Sequence, residues 1–136
     1  MKDFFMKVML SIKPQYVDKI FSQIKRYEFR KSIFKNENID TVIVYATKPV
    51  SMLVGEFKIK RIYKNTPLQI WESTKNYAGI SEKAYFRYFK DKKYAYAIEI
   101  GDIIKYPRSI NPYTTFVKFS PPQSYVYVDD NLIKVL

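Results

Sequence analysis

Four charged residues, Lys13, Lys25, Glu28 and Arg30, stand at spacings that let them act together. Glu28 and Arg30 are two apart in the alternating run Lys25-Arg26-Tyr27-Glu28-Phe29-Arg30-Lys31. On a strand they share a face, where Glu28 orients Arg30 or accepts hydrogen bonds from a base or a ribose. Lys25 opens the same run. Lys13 directly precedes Pro14, and proline suits the first position of a helix, where its missing N–H costs nothing. A helix start presents unpaired N–H groups and a positive partial charge, so Lys13 beside it makes an anion site on which Lys25 can converge. Tyr45-Ala46-Thr47 closes the next strand, so Tyr45 and Thr47 are expected to border the same cleft. The plainer reading of these residues is a Glu28–Arg30 surface ion pair worth under about 1 kcal/mol, with both lysines solvated.

The available chemistry is bounded by what the chain lacks. It has no Cys and no His, which removes thiolate nucleophiles, disulfides, imidazole bases and the commonest zinc ligands. No metal and no cofactor is expected. Catalysis, if any, falls to Lys, Glu, Asp, Tyr, Ser or Thr. Net charge is +11, and residues 1–64 hold 14 Lys/Arg against 6 Asp/Glu. Such an excess draws polyanions, so RNA or a nucleotide is the expected partner, although a lysine-rich surface also simply keeps a protein soluble. A membrane partner is not expected, because no apolar run approaches the roughly 20 residues needed to span a bilayer. Lys7 interrupts the only apolar stretch near the start, which does not read as a signal peptide, and a cytoplasmic location is expected. Oligomeric state is not legible.

The elements that must position the four residues follow from periodicity. Val8, Leu10 and Ile12 alternate with polar neighbours and predict a strand with one buried face. Tyr16, Val17, Ile20, Phe21 and Ile24 fall at helical spacing. Thr41–Thr47 is β-branched and reads as an interior strand. Val50–Tyr63 reads as a long strand in which Gly55 marks a bulge or a close backbone approach. Thr66-Pro67-Leu68-Gln69 has the form of a capping box and starts a helix to about Asn76, with Ile70, Trp71 and Thr74 inward. Gly79-Ile80-Ser81 stops it and caps another helix carrying Tyr85, Phe86 and Phe89. Lys93–Ile100 is an alternating strand, with Ile103–Tyr106 beyond a turn at Gly101-Asp102. Strands are then expected at Phe116–Phe119, Tyr125–Val128 and the last few residues. The abundant Tyr and Phe lie mostly on apolar faces and read as core, Tyr45 excepted. The order fits one α+β domain over residues 1–136, with a curled sheet or small open barrel.

Met9-Leu10-Ser11-Ile12-Lys13-Pro14-Gln15-Tyr16 and Lys25–Lys31 together resemble the ASCH family of PUA-like domains, whose hallmark is G-x-K-x-x-E-x-R after the first helix. The likeness runs on through Thr41–Thr47, Val54-Gly55-Glu56-Phe57 and Tyr94-Ala95-Tyr96-Ala97-Ile98, covering about residues 6–100, with 107–136 as a C-terminal extension. It implies a PUA-like pseudo-barrel with flanking helices and a cleft lined by Lys25, Glu28 and Arg30. Gln23 stands where the motif has Gly, a position that usually serves a positive φ at a helix end. Relatives that act as amidohydrolases on acylated cytidines place Thr where Glu28 stands, so their Lys and Thr pair does not transfer. The expected function is therefore an RNA- or nucleotide-binding module. The alternative is a small hydrolase, an amidohydrolase or a ribonuclease, in which desolvation and Arg30 lower the pKa of Lys25 and Glu28 or Glu82 passes the proton. A protein-interaction adaptor is the third. Gln123 and Tyr125, in the Pro-rich tail, are placed either to close over the site or to pack.

Overall fold

The computed structural model describes residues 6–116 and 118–129. The six strands among the described residues join one mixed sheet: β1 (Met6–Ile12), β2 (Tyr27–Arg30), β3 (Thr41–Ala46), β4 (Met52–Asn65), β5 (Ala95–Ile110) and β6 (Val126–Asp129). Their spatial order is β2-β5-β4-β3-β1-β6, with only β1 and β3 parallel. The parallel pair needs a crossover, and α1 (Pro14–Phe21) begins it with Val17 and Ile20 turned onto the sheet.

Three clusters fix the layers. Val8, Leu10, Ile12, Val42, Val44, Ala46 and Phe57 pack with α1 on one face. On the other face Met9, Ile43, Tyr45, Leu53 and Val128 meet Phe116 and Phe119. β1 and β3 are thus buried on both faces, where alternation had predicted one buried face for β1. Burial of the odd-numbered residues comes from the C-terminal segment, which folds back over them. The third cluster lies under α2 (Pro67–Thr74) and α3 (Glu82–Tyr88), where Ile70, Trp71, Tyr85 and Phe89 cover Phe29, Ala95 and Ala97. Thr66 caps α2 through the Gln69 N–H at 3.2 Å, and Ser81 caps α3 through the Ala84 N–H at 3.1 Å.

Several expectations need correction. The sheet does not close into a pseudo-barrel. Its order ends at β2 and β6, which form no ladder with each other among the described residues. β2 is only four residues long, which leaves few positions for a closing ladder. The expected turn at Gly101-Asp102 is also absent. β5 runs unbroken for 16 residues and is re-aimed by register shifts against β4. Pro107 is tolerated within it because that stretch pairs with β4 alone, leaving one side free. Phe116 and Phe119 lie in no strand. They follow a short helical turn, α4 (Pro112–Thr115), that aims them into the core. The strand expected at the last few residues lies outside the described residues. Gly55 does mark a close approach, since a Cβ there would meet the Ile104 carbonyl and the Phe21 ring at 2.5 Å each. No helix among the described residues is long and apolar enough to cross a membrane.

Candidate functional site

Lys25 owes its place to two backbone reversals. α1 ends at Ser22, and Gln23 takes a φ of 66°, after which the N–H groups of Ile24 and Lys25 both donate to the Lys19 carbonyl at 3.0 Å. Gln thus adopts the left-handed conformation that Gly favours, as its place in the motif implied. For an L side chain this costs about 1 kcal/mol. Gln23→Gly is therefore expected to stabilise the protein by up to about 1 kcal/mol, read as a rise of a few degrees in thermal midpoint. The second reversal is Gly79, whose φ is 64°. Its missing side chain leaves room for the stem of Lys25, whose Cβ would otherwise lie 2.4 Å from a Gly79 Cβ.

Lys25 so delivered is 2% exposed. Its ammonium donates to the Ala78 carbonyl at 2.7 Å and lies 4.6 Å from the centroid of Phe29 and 5.3 Å from that of Tyr16. Burial pushes its pKa down from 10.5 to about 8, against the pull of the Glu28 charge and with help from Lys19. The expectation that Arg30 lowers it is not met, because the Arg30 guanidinium is turned to other partners. It donates to Glu28 Oε2 at 3.1 Å, the Ser11 carbonyl at 3.3 Å and the Ser124 carbonyl at 2.8 Å.

The lowered pKa makes stability depend on pH. Between about pH 8 and 10.5 the unfolded chain keeps the Lys25 proton that the folded chain has lost, so stability rises with pH across that window. Tyr85 and Tyr106, both raised above 10.0 chiefly by burial, act oppositely, but only as the pH passes 10.0. From about pH 7 to about pH 9.5 the wild type is therefore expected to gain about 2 kcal/mol relative to Lys25→Met, measured by urea denaturation at each pH. Parallel curves for the two proteins would contradict the buried, depressed ammonium.

These side chains line a cavity of about 440 Å³ between the end of β1, the start of α1, β2 and α3. It brings together Lys13, Lys25, Glu28 and Arg30. Lys13 is the exposed N-cap of α1, and Glu28 is 6% exposed. Tyr45 and Thr47 are not among the lining residues. Tyr45 points to the opposite face of β3, 1% exposed, its hydroxyl 3.3 Å from that of Tyr113. Thr47 spends its backbone on the turn after β3, donating to Ile12 and accepting from Val50. Glu82 lies outside the cavity too, exposed and accepting from the Trp71 indole N–H at 3.0 Å. Gln123 of the tail does line it, anchored by Ser11 Oγ donating to the Pro122 carbonyl at 2.7 Å. Tyr125 instead packs on Phe34 and Tyr127.

α3 supplies the wall that short-range reading missed: Ala84, Arg87 and Tyr88, with Ile80 just before the helix. Positions 80, 84, 87 and 88 form one helical stripe, the signal that would have found them. Burial raises the Tyr88 phenol above its ordinary pKa, opposed by Arg30 and reinforced by Glu28.

Comparisons with known proteins bear on the family and the fold. An ASCH domain-containing ribonuclease of Zymomonas mobilis is 26% identical over 128 residues, covering 90% of this chain and 84% of that protein. The crystal structure of ASCH from Zymomonas mobilis superposes with a TM-score of 0.87 at 25% identity, covering 95% of this chain and 92% of the other. The alpha subunit of ATP synthase from Ureaplasma parvum serovar 3 is 29% identical over 122 residues, but the chain spans only 15% of its length. The large ribosomal subunit protein uL22 of the same organism is 25% identical over 108 residues, and the chain spans 35% of it. The ASCH domain description matches residues 10–104, and with that match the chain belongs to the ASCH domain family.

Proposed function

We propose that this chain is a cytoplasmic RNA-acting domain that cleaves RNA in the Lys25, Glu28 and Arg30 cavity. The observation that carries the reading is a buried amine with a pKa of about 8 in a basic pocket of a chain that has no histidine. RNA brings its own nucleophile, the ribose 2′-hydroxyl, so the protein has to accept that proton and neutralise charge on the phosphate. Near pH 7 about a tenth of Lys25 is the free amine, enough to serve as a general base. Lys13, exposed at the start of α1, and Arg87 supply positive charge for the phosphate. Glu28 holds the Arg30 guanidinium in register. Attack by the 2′-oxygen on phosphorus breaks the bond to the 5′-oxygen, which leaves with a proton taken from water while Lys25 returns its acquired proton to solvent, giving a 2′,3′-cyclic phosphate and a 5′-hydroxyl end.

The ribonuclease named among the relatives supports this alternative over the plain binding module first expected. One observation favours binding without turnover: Lys25 and Arg30 already have protein partners, which suits a site built to hold a nucleotide. A single assay separates the two. Labelled single-stranded RNA is incubated with stoichiometric protein, and fragments bearing cyclic phosphate ends are sought by mass spectrometry. Retention on the protein of intact RNA, with no such fragments, would sink the cleavage reading and leave the binding module. Turnover of acylated cytidine in a parallel reaction, with RNA intact, would favour the amidohydrolase instead.

A further inference from the structure

β5 pairs with β2 on one side and with the far half of β4 on the other, and paired residues of antiparallel strands project to the same face. The row Phe29–Ala97–Tyr63 faces α2 and α3. The adjacent rows, Glu28–Ile98–Ile62 and Arg30–Tyr96–Lys64, therefore face the other way. Their β2 members belong to the cavity, and the rows continue out of it: Tyr96 is half-buried, Ile62 is 36% exposed and Lys64 is exposed.

Tyr94, two residues before Tyr96, lies beside this row and is 42% exposed. The Lys64 ammonium is 4.6 Å from the Tyr94 centroid and 5.7 Å from that of Tyr96, and the Lys93 ammonium is 5.5 Å from Tyr94. Two ammonium groups on one phenol ring repel each other. Among the described residues neither has a carboxylate within ion-pair distance, whereas Lys7, Lys58, Lys60 and Lys75 do. An anion seated between them relieves that repulsion, and the rings offer faces on which unpaired bases stack.

We infer that this face, from Arg30 through Tyr96 to Tyr94, Lys64 and Lys93, is a second binding surface that takes the nucleotides flanking the cavity on a single-stranded RNA. The inference rests on the RNA reading of the cavity and extends it. Cross-strand neighbours are about 5 Å apart, so the row from Arg30 to Lys64 spans about 10 Å, room for one or two bases. Duplexed bases cannot use it, since their faces are already stacked.

The test uses the full chain and a 2′-O-methyl RNA octamer, which has no free 2′-hydroxyl and so binds without cleavage. Lys64, Lys93 and Tyr94 are all exposed, so the triple change Lys64→Ala, Lys93→Ala and Tyr94→Ala leaves the core intact. By fluorescence anisotropy the triple variant is expected to bind the octamer about tenfold more weakly or worse. Its salt slope should fall by about 1, from the loss of two cations on a single strand. A 2′-O-methyl dinucleotide, short enough to fill only the cavity, should bind both proteins equally. Equal octamer affinity and slope would overturn the surface, and so would a duplex of the same length that competes as well as the single strand. Because the octamer cannot be cut, absence of turnover in the cleavage assay counts against the ribonuclease reading alone.

Discussion

Replacing Lys25 by Met is expected to lower kcat/KM for RNA cleavage by about 10²- to 10⁴-fold, the range lost with a general base. Methionine keeps the length of the stem that passes Gly79, so circular dichroism and thermal midpoint serve as controls for folding. The pH profile distinguishes a base from a merely positive group. A base with a pKa of about 8 makes the wild-type rate climb roughly tenfold per pH unit below 8 and level off above it. The residual activity of the variant should lack that inflection. An ammonium that only attracts phosphate gives the opposite trend, with activity falling above pH 8 as the charge is lost. Wild-type activity that declines there would remove Lys25 from the role of base while leaving it in the binding site.

The same residue shows what the sequence could and could not reveal. Alternation in Lys25–Lys31 and the helical spacing from Tyr16 to Phe21 put Lys13, Lys25, Glu28 and Arg30 within a few residues of element ends, but it was the family motif that favoured one shared cavity over a surface ion pair with solvated lysines. The positive φ of Gln23 was legible only through the motif, which has Gly at that position. Tyr45 was misplaced because β3 is buried on both faces. In a strand of that kind alternation carries no information about which side a residue takes. The contribution of α3 was missed for a different reason: its stripe shows in the sequence, but nothing local says what the stripe faces. Arg87 and Tyr88 reach the cavity only through the packing of α3 on Phe29, a contact between residues about 60 positions apart. β5 hid its continuity behind Gly101 and Pro107, residues that punctuate most strands but are accommodated here by register shifts and a free edge.

Gly79 is the residue on which the position of Lys25 depends, and Gly79→Ala is expected to destabilise the protein by about 3 kcal/mol or more. Two costs combine. An alanine at a φ of 64° adopts a left-handed conformation worth about 1–2 kcal/mol against it. Its Cβ would also lie 2.4 Å from Lys25 Cβ and 2.7 Å from Cγ, so the stem of a buried side chain must move, an overpacking cost of about 1–3 kcal/mol. A loss of this size is a large share of the roughly 5–15 kcal/mol that holds a domain together, and it is measurable by urea denaturation. The two costs can be separated with a double-mutant cycle. Lys25→Gly removes the atoms that collide but leaves the backbone conformation, so in that background Gly79→Ala should cost only the conformational 1–2 kcal/mol, about what an αL alanine costs anywhere. Identical costs in the two backgrounds would show that the glycine serves the turn alone. A larger cost beside the lysine would show that it keeps open the passage through which the ammonium reaches the Ala78 carbonyl and the cavity beyond it.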